Sequence, residues 1–363
     1  MIPRITIARI FSTAVAVIPL CWGAVAGSAP LGLPALPSDV QPEDDRAIAL
    51  GQLLFFDRRL SADGDISCAT CHRLTIAFTD SLPIAHGTRG LFGTRNTPSL
   101  YNVAYQKELF WDGRVGSLET QARLPLLNPR EHGLQSDTAI LRRINADPQY
   151  RRELKLWLPN RAATMTDIVR AIASYERTLL AGDSPFDRYT YAADSDAMSR
   201  AAIRGMQLFQ GRAGCGACHP IGIGSALFTD FDYHASPIAL PQDASDDLPR
   251  VTSMVVELRH RQATDDLHTL LISDPRIAAL GRFVVTLNPR DIGRFKTPSL
   301  RNVAITAPYF HDGSVATLAE AIDAELYSRG DSTRYPIVLS ANEKADLLEF
   351  LNALTSPGMR LTP

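Results

Sequence analysis

Two copies of Cys-x-x-Cys-His stand in this chain: Cys68-Ala-Thr-Cys71-His72 and Cys215-Gly-Ala-Cys218-His219. The spacing is that of c-type haem attachment. Two thiols one helical turn apart can add to the two vinyl groups of one porphyrin, and the adjacent histidine then binds the iron through its imidazole. Each copy follows a Leu-Phe helix end, Leu54-Phe55 and Leu208-Phe209. The chain is therefore expected to carry two covalently bound c-type haems. A zinc or dithiol-redox use of the pairs is the remote alternative. The histidine that follows each pair argues against it.

The elements that must position these groups repeat. Thr97-Pro98-Ser99-Leu100 and Asn102-Val103-Ala104 recur as Thr297-Pro298-Ser299-Leu300 and Asn302-Val303-Ala304. Phe110-Trp111-Asp112-Gly113 recurs as Phe310-His311-Asp312-Gly313, at the same offset of 200 positions. A duplicated mono-haem domain is the simplest account. The secondary structure reads as all-α, two cytochrome c-like haem domains with no convincing strand. Asp137 to Asn145 and Thr166 to Leu180 have helical apolar spacing, with Thr166 as N-cap and Gly182 as stop. Ser340-Ala-Asn-Glu343 is a capping box that opens a terminal helix. The polar stretch Asp183 to Asp196 places the boundary between an N-terminal domain, 39–185, and a C-terminal domain, 196–356. Ser236 to Pro249, rich in proline and aspartate, reads as a surface loop.

The chain has 363 residues, enough for two domains, and 45% are hydrophobic, so a sizeable core is possible. A net charge of −2 gives no argument for nucleic acid or for an anionic membrane surface. The first 26 residues read as a signal peptide: Arg4 and Arg9, an apolar run from Ile10 to Ala26, then small residues and Pro30, Pro34 and Pro37. An uncleaved anchor is the other reading, since the run approaches spanning length. Cleavage is favoured by the small residues, and it leaves a periplasmic protein with no stable membrane insertion. It also removes Cys21, so all four remaining cysteines are haem thiols and no structural disulfide is left.

Nearly all of the mature chain resembles the bacterial di-haem cytochrome c peroxidase superfamily, including MauG-type members that oxidise a partner protein. The likeness rests on the two haem motifs, Arg95-Asn96-Thr97-Pro98, Phe110-Trp111-Asp112-Gly113-Arg114 and Thr306-Ala307-Pro308-Tyr309-Phe310-His311-Asp312-Gly313. It implies that the N-terminal haem meets hydrogen peroxide and the C-terminal haem takes in electrons. Splitting the O–O bond needs an open or vacatable iron position and a carboxylate that moves a proton from the inner to the outer oxygen. The resemblance gives that role to Glu131, peroxide orientation to Gln121 and a pocket wall to Pro125. Taken alone, Glu131 would read as a solvated surface acid.

Trp111 is implied as the relay between the haems, against the alternative of a plain core aromatic. His86 stands in a glycine-rich loop. It is either the distal ligand that caps the resting N-terminal iron or a histidine in solvent. For the C-terminal iron, Glu325 has the matching spacing, but Tyr327 in Tyr327-Ser328-Arg329-Gly330 is the favoured distal ligand. That choice requires the helix to end or shift near Gly330, because on a straight helix Tyr327 points away. One calcium is implied between the domains, held by the Asn96 side chain and the carbonyls of Thr306 and Pro308. Three functions follow: a peroxidase fed by a small cytochrome c or cupredoxin, a MauG-type oxidase acting on a protein substrate, and a di-haem electron carrier. The last has no use for Gln121 and Glu131.

Overall fold

A computed structural model describes residues 29–358 apart from 239 and 334–336, so the signal segment and Cys21 lie outside the described residues. The first half is built on α1 (Asp45–Phe56), the short α2 (Cys68–Cys71), α3 (Leu118–Leu127), α4 (Asp137–Ala146), α5 (Pro148–Trp157) and α6 (Met165–Arg177). The second contains α7 (Pro185–Tyr191), α8 (Arg200–Gln210), α14 (Leu318–Thr333) and α15 (Ala341–Asn352). Between α8 and α14 lie the short helices α9 (Gln242–Asp246), α10 (Leu248–His260), α11 (Thr264–Leu271), α12 (Pro275–Ala279) and α13 (Phe283–Thr286). The fold is thus mostly α-helical. One correction is a small antiparallel pair, β1 (Tyr233–Ala235) and β2 (Arg294–Lys296), too short to show alternation in the sequence.

Each half rests on a close helix crossing that a glycine permits. At Gly51 on α1 an added Cβ would meet the Ala171 carbonyl oxygen of α6 at 1.8 Å, and at Gly205 on α8 it would meet that of Asp346 on α15 at 1.9 Å. Leu50, Leu54, Ile168 and Ile172 fill the first core, and Phe186, Phe209, Phe228 and Phe350 the second. The repeated motif has one mechanical job in both halves. Asn102 and Asn302 adopt φ of 62°, which asparagine tolerates better than most residues. Asn102 exchanges two 2.9 Å hydrogen bonds with the Ala181 backbone, and Asn302 Oδ1 accepts from the Ser356 N–H at 2.8 Å, so each ties its loop to the chain beyond the half's last helix.

Several expectations change. The cap of α6 is Thr164, not Thr166, because Thr164 and Asp167 form a reciprocal capping box. The expected linker 183–196 contains α7, whose Phe186 is buried in the second core, so the chain crosses between halves without a loose connector. The expected loop 236–249 contains α9 and the start of α10. Beyond it, Val251, Val255, Leu267, Leu271, Ile277 and Phe283 of α10 to α13 form a third core. The capping box at Ser340 and Glu343 is present as read. Among the described residues no helix is long and apolar enough to cross a membrane.

Candidate active site

Both attachment motifs are set up in the same way. His72 Nδ1 lies 2.9 Å from the Phe78 carbonyl and His219 Nδ1 lies 2.7 Å from that of Phe228. A carbonyl can only accept, so each Nδ1 carries the proton and Nε2 is left as the basic nitrogen, the tautomer an iron ligand requires. Phe55 and Phe209, the residues closing the two Leu-Phe helix ends, stand 6.5 and 6.4 Å from these imidazoles. Ser99 and Ser299 of the repeated loops donate to the carbonyls of Ala77 and Leu227, one residue before Phe78 and Phe228. Burial holds both imidazoles below their ordinary range, His219 at about 4, so they stay neutral. Burial also pushes the Cys71 thiol up to about 12. That is the opposite of a redox-active thiolate, and all four described cysteines are free of disulfides. The residues fit two c-type haems.

Glu131 is half-buried beside the first motif. Burial pushes its carboxyl up to about 7 against the pull of the Arg114 guanidinium. Its own charge in turn bears on the Cys71 thiol. The His86 loop reaches the same place: the Thr88 N–H donates to the Glu131 carbonyl at 2.8 Å, and Gly87 packs so tightly on Arg130 that a Cβ would meet its carbonyl oxygen at 1.7 Å. The His86 ring itself is exposed, edge-on to Phe92 at 4.4 Å. Gln121 and Pro125 are half-buried on α3, and the Pro125 carbonyl accepts from the His132 N–H at 3.1 Å, which folds the Glu131 turn back onto that helix.

Trp111 sits where the two halves meet. Its Nε1–H donates to the Asn96 carbonyl at 3.0 Å. Two backbone bonds then run in opposite senses: Asn96 N–H to His311 O and Lys296 N–H to Trp111 O, both 2.9 Å. His311 stacks on Phe295 at 3.7 Å. The Asn96 Nδ2 group is spent on the Leu82 and Pro83 carbonyls, leaving Oδ1 as the remaining acceptor of its amide. The Asn96 segment lies against the 308–313 segment through the His311 bond, and Thr306 is hydrogen-bonded within its own turn to Val303.

At the second motif the structure corrects the favoured distal ligand. α14 runs unbroken from Leu318 to Thr333, and Tyr327 lies on its outer side, 84% exposed. The early helix end that would turn it inwards does not occur. The groups of α14 that bear on Cys215 and Cys218 are Glu325 and Arg329. Arg329 also donates to the Gly214 carbonyl at 2.6 Å. Cys218, Asp230 and His234 also converge, with His234 Nε2 2.8 Å from Asp230 Oδ2; Cys218 is already committed to haem attachment. Sequence reasoning missed the cluster of Arg95, Asp112 and Arg114. Asp112 is fully buried, and although burial opposes its charge, Arg114 and Arg95 hold its carboxyl down at about 2. The signal was present in Trp-Asp-Gly-Arg, where an acid and a base flank one turn.

The fold and the paired attachment sites define a di-haem c-type cytochrome. The family described as di-haem cytochrome c peroxidase matches residues 45–196. The chain is 36% identical over 341 residues to cytochrome-c peroxidase IdrP1 of Pseudomonas sp. (strain SCT), covering 90% of this chain and 85% of that protein. It is 32% identical to the methylamine utilization protein MauG of Methylorubrum extorquens, covering 88% and 81%. A crystal structure of a MauG-like protein associated with microbial copper homeostasis superposes with a TM-score of 0.72 at 29% identity, covering 94% of this chain and 97% of that one. The chain belongs to the di-haem cytochrome c peroxidase family and is an oxidoreductase of that peroxidase-like kind.

Proposed function

We propose that the protein is a periplasmic peroxidase that reduces hydrogen peroxide to two waters, taking two electrons from a small cytochrome c or cupredoxin and two protons from solvent. The observation that carries this reading is the Glu131 carboxyl, half-buried beside the first attachment motif with a proton affinity close to neutral pH. A bound haem supplies an iron that holds peroxide and exchanges electrons. The chain supplies the rest. Glu131 takes the proton of the inner oxygen and returns it to the outer one, so that water leaves. Gln121 orients the peroxide and Pro125 walls the pocket. His86 serves as the displaceable resting ligand, its loop packed on the Glu131 turn. The two halves are read as products of an internal duplication, supported by the matching histidine, serine and asparagine contacts.

Trp111 is the relay between the halves. Its indole is fixed by Asn96, whose side chain, with the Thr306 and Pro308 carbonyls, is the proposed calcium site; oxygen-only ligation suits a hard cation. Trp111→Phe keeps an aromatic ring but loses the bond to Asn96. It is expected to slow inter-haem electron transfer in stopped-flow spectra while haem content and helicity stay unchanged; unaltered transfer would return Trp111 to a packing role.

One observation favours a MauG-type oxidase instead: no methionine lies on α14, and the α14 side chains bearing on the second motif are Arg329 and the carboxylate Glu325. An anionic oxygen ligand favours higher oxidation states than methionine does. The test is made on protein produced with cytochrome-assembly factors. Two haems per chain and rapid oxidation of a reduced small cytochrome on adding peroxide are expected. Fewer than two haems, or oxidising equivalents that persist in the presence of that cytochrome, would overturn the peroxidase reading.

A further inference from the structure

The turn that carries Trp111 has a second oxidisable side chain packed against it. The turn is closed by the Leu109 N–H to Val115 carbonyl bond at 2.8 Å. Glu108 stands at its foot, and Gly113, with φ of +69°, at its tip. Tyr233 of β1 reaches this turn from the second half. An added Cβ at Gly113 would meet the Tyr233 hydroxyl oxygen at 1.6 Å, so the phenol comes this close only because the residue is glycine. That hydroxyl donates to Glu108 Oε2 at 2.8 Å. The strand register sets Tyr233 opposite Lys296, whose N–H donates to the Trp111 carbonyl at 2.9 Å.

A phenol gives up an electron readily only if its proton leaves too, because an oxidised phenol is a very strong acid. Burial, with Glu108 adding to it, pushes the Tyr233 phenol up, so it is protonated at neutral pH and needs an acceptor already in place. Glu108 is that acceptor, and Arg282 fixes the pair. Arg282 Nη2 donates to Glu108 Oε1 at 3.0 Å, its Nη1 donates to the Asp112 and Gly113 carbonyls at 3.1 Å each, and its guanidinium lies 4.0 Å over the Tyr233 ring. A cation over the ring opposes a positively charged phenol and favours the neutral form that proton loss leaves. The Glu108 side chain is 40% exposed, so a proton it receives can pass to solvent. A second phenol–carboxylate pair, Tyr150 and Asp57 at 2.6 Å, belongs to the first core instead.

We propose that Tyr233 and Glu108 form a second redox site, which draws off an oxidising equivalent that peroxide leaves on the haem pair when no electron donor is bound. The O–H bond of Tyr233 breaks. Its electron reduces the peroxide-oxidised haem pair by one, its proton passes to Glu108 Oε2, and a neutral phenoxyl radical remains. The oxidising equivalent is thereby moved out of the haem pocket to the junction of the halves. The inference rests on the peroxidase reading for its oxidant.

Hydrogen peroxide is added to the oxidised di-haem protein without an electron donor, haem oxidation is followed by visible absorbance, and the frozen sample is measured by EPR. The native protein should show a radical whose spectrum narrows when the protein is grown with ring-deuterated tyrosine. Tyr233→Phe should abolish that signal and Tyr150→Phe should leave it. Glu108→Gln keeps a hydrogen-bond acceptor but cannot take the proton, so the signal should fall about tenfold or more. Haem content and helicity show that the variants fold. Glu108 is partly exposed, so its variant decides the matter if Tyr233→Phe is lost to misfolding. A tyrosyl signal unchanged in Tyr233→Phe or in Glu108→Gln, or lost in Tyr150→Phe alone, overturns the proposal. Oxidised haem with no tyrosyl radical sinks this inference and leaves the peroxidase reading standing, whereas haem absorbance that peroxide does not alter removes both.

Discussion

Glu131→Gln is expected to keep both haems and the fold and to lower peroxide turnover by about 10²–10⁴-fold, the usual contribution of a positioned proton carrier. Glutamine matches the shape of glutamate and can still donate and accept hydrogen bonds, but it cannot take a proton from peroxide. Because Glu131 is half-buried and its main-chain contacts to Thr88 and Asn128 are backbone ones, the substitution leaves them intact. The same assignment fixes the pH dependence. Burial raises the carboxyl to about 7, so the ionised form that accepts the first proton is lost as pH falls through that value. Turnover should decline below about pH 7 in the native protein, and the residual turnover of Glu131→Gln should lack that limb. Steady-state rates across pH check both statements. A variant with undiminished rate would remove Glu131 from the chemistry.

Local chemistry in this protein was readable from the sequence, and long-range packing was not. The two attachment motifs need only five consecutive residues each, and the repeated Thr-Pro-Ser-Leu and Asn-Val-Ala segments are short turns whose contacts recur because their geometry does. The capping box at Ser340 and Glu343 is likewise local. Proline misled the reading of 183–196 and 236–249. Pro185 and Pro249 lie in the first turns of α7 and α10, where the missing N–H breaks no helical bond. They start helices in stretches whose polar, proline-containing composition reads as loop. The third core was invisible for a related reason: α10, α11 and α12 become a unit only by packing on one another and on residues far back in the sequence, such as Thr94 and Arg95. Tyr327 shows the reverse case. Helical periodicity by itself points it outwards, and the helix keeps its period past that residue; the motif likeness, resting on Gly330 as a stop, pulled the expectation the other way.

The largest stability change is expected from Asp187→Ala. Asp187 and Arg301 form a bidentate pair at 2.8 and 2.9 Å, with side-chain exposures of 0% and 1%. Arg301 spends its other donors on the Ala226 and Gly32 carbonyls, both at 2.7 Å. Gly32 lies in a turn, closed by the Leu33 N–H to Pro30 carbonyl bond at 3.0 Å, within a segment that binds both halves. The Leu31 carbonyl accepts from Asp183 N–H at 2.9 Å, and that of Pro34 accepts from the Tyr105 hydroxyl at 2.7 Å. Glycine is required at position 32, where φ is +82° and an added Cβ would meet Asp187 Oδ1 at 1.8 Å. Removing Asp187 leaves a guanidinium buried without its counter-charge, at a cost of about 3–5 kcal/mol. It also removes the Asp187 half of the α7 capping box, the acceptor of the Ser184 N–H, while the Ser184 hydroxyl still caps the helix. Asp187→Leu combined with Arg301→Met should recover part of the loss, because an apolar pair restores packing without a bare charge. Recovery stays incomplete, since the Gly32 and Ala226 carbonyls then lose the Arg301 donors. Urea midpoints of the second-half transition, followed through its haem absorbance, measure this. A single variant as stable as the native chain would mean that solvent reaches Arg301 and that the segment is no clasp between the halves.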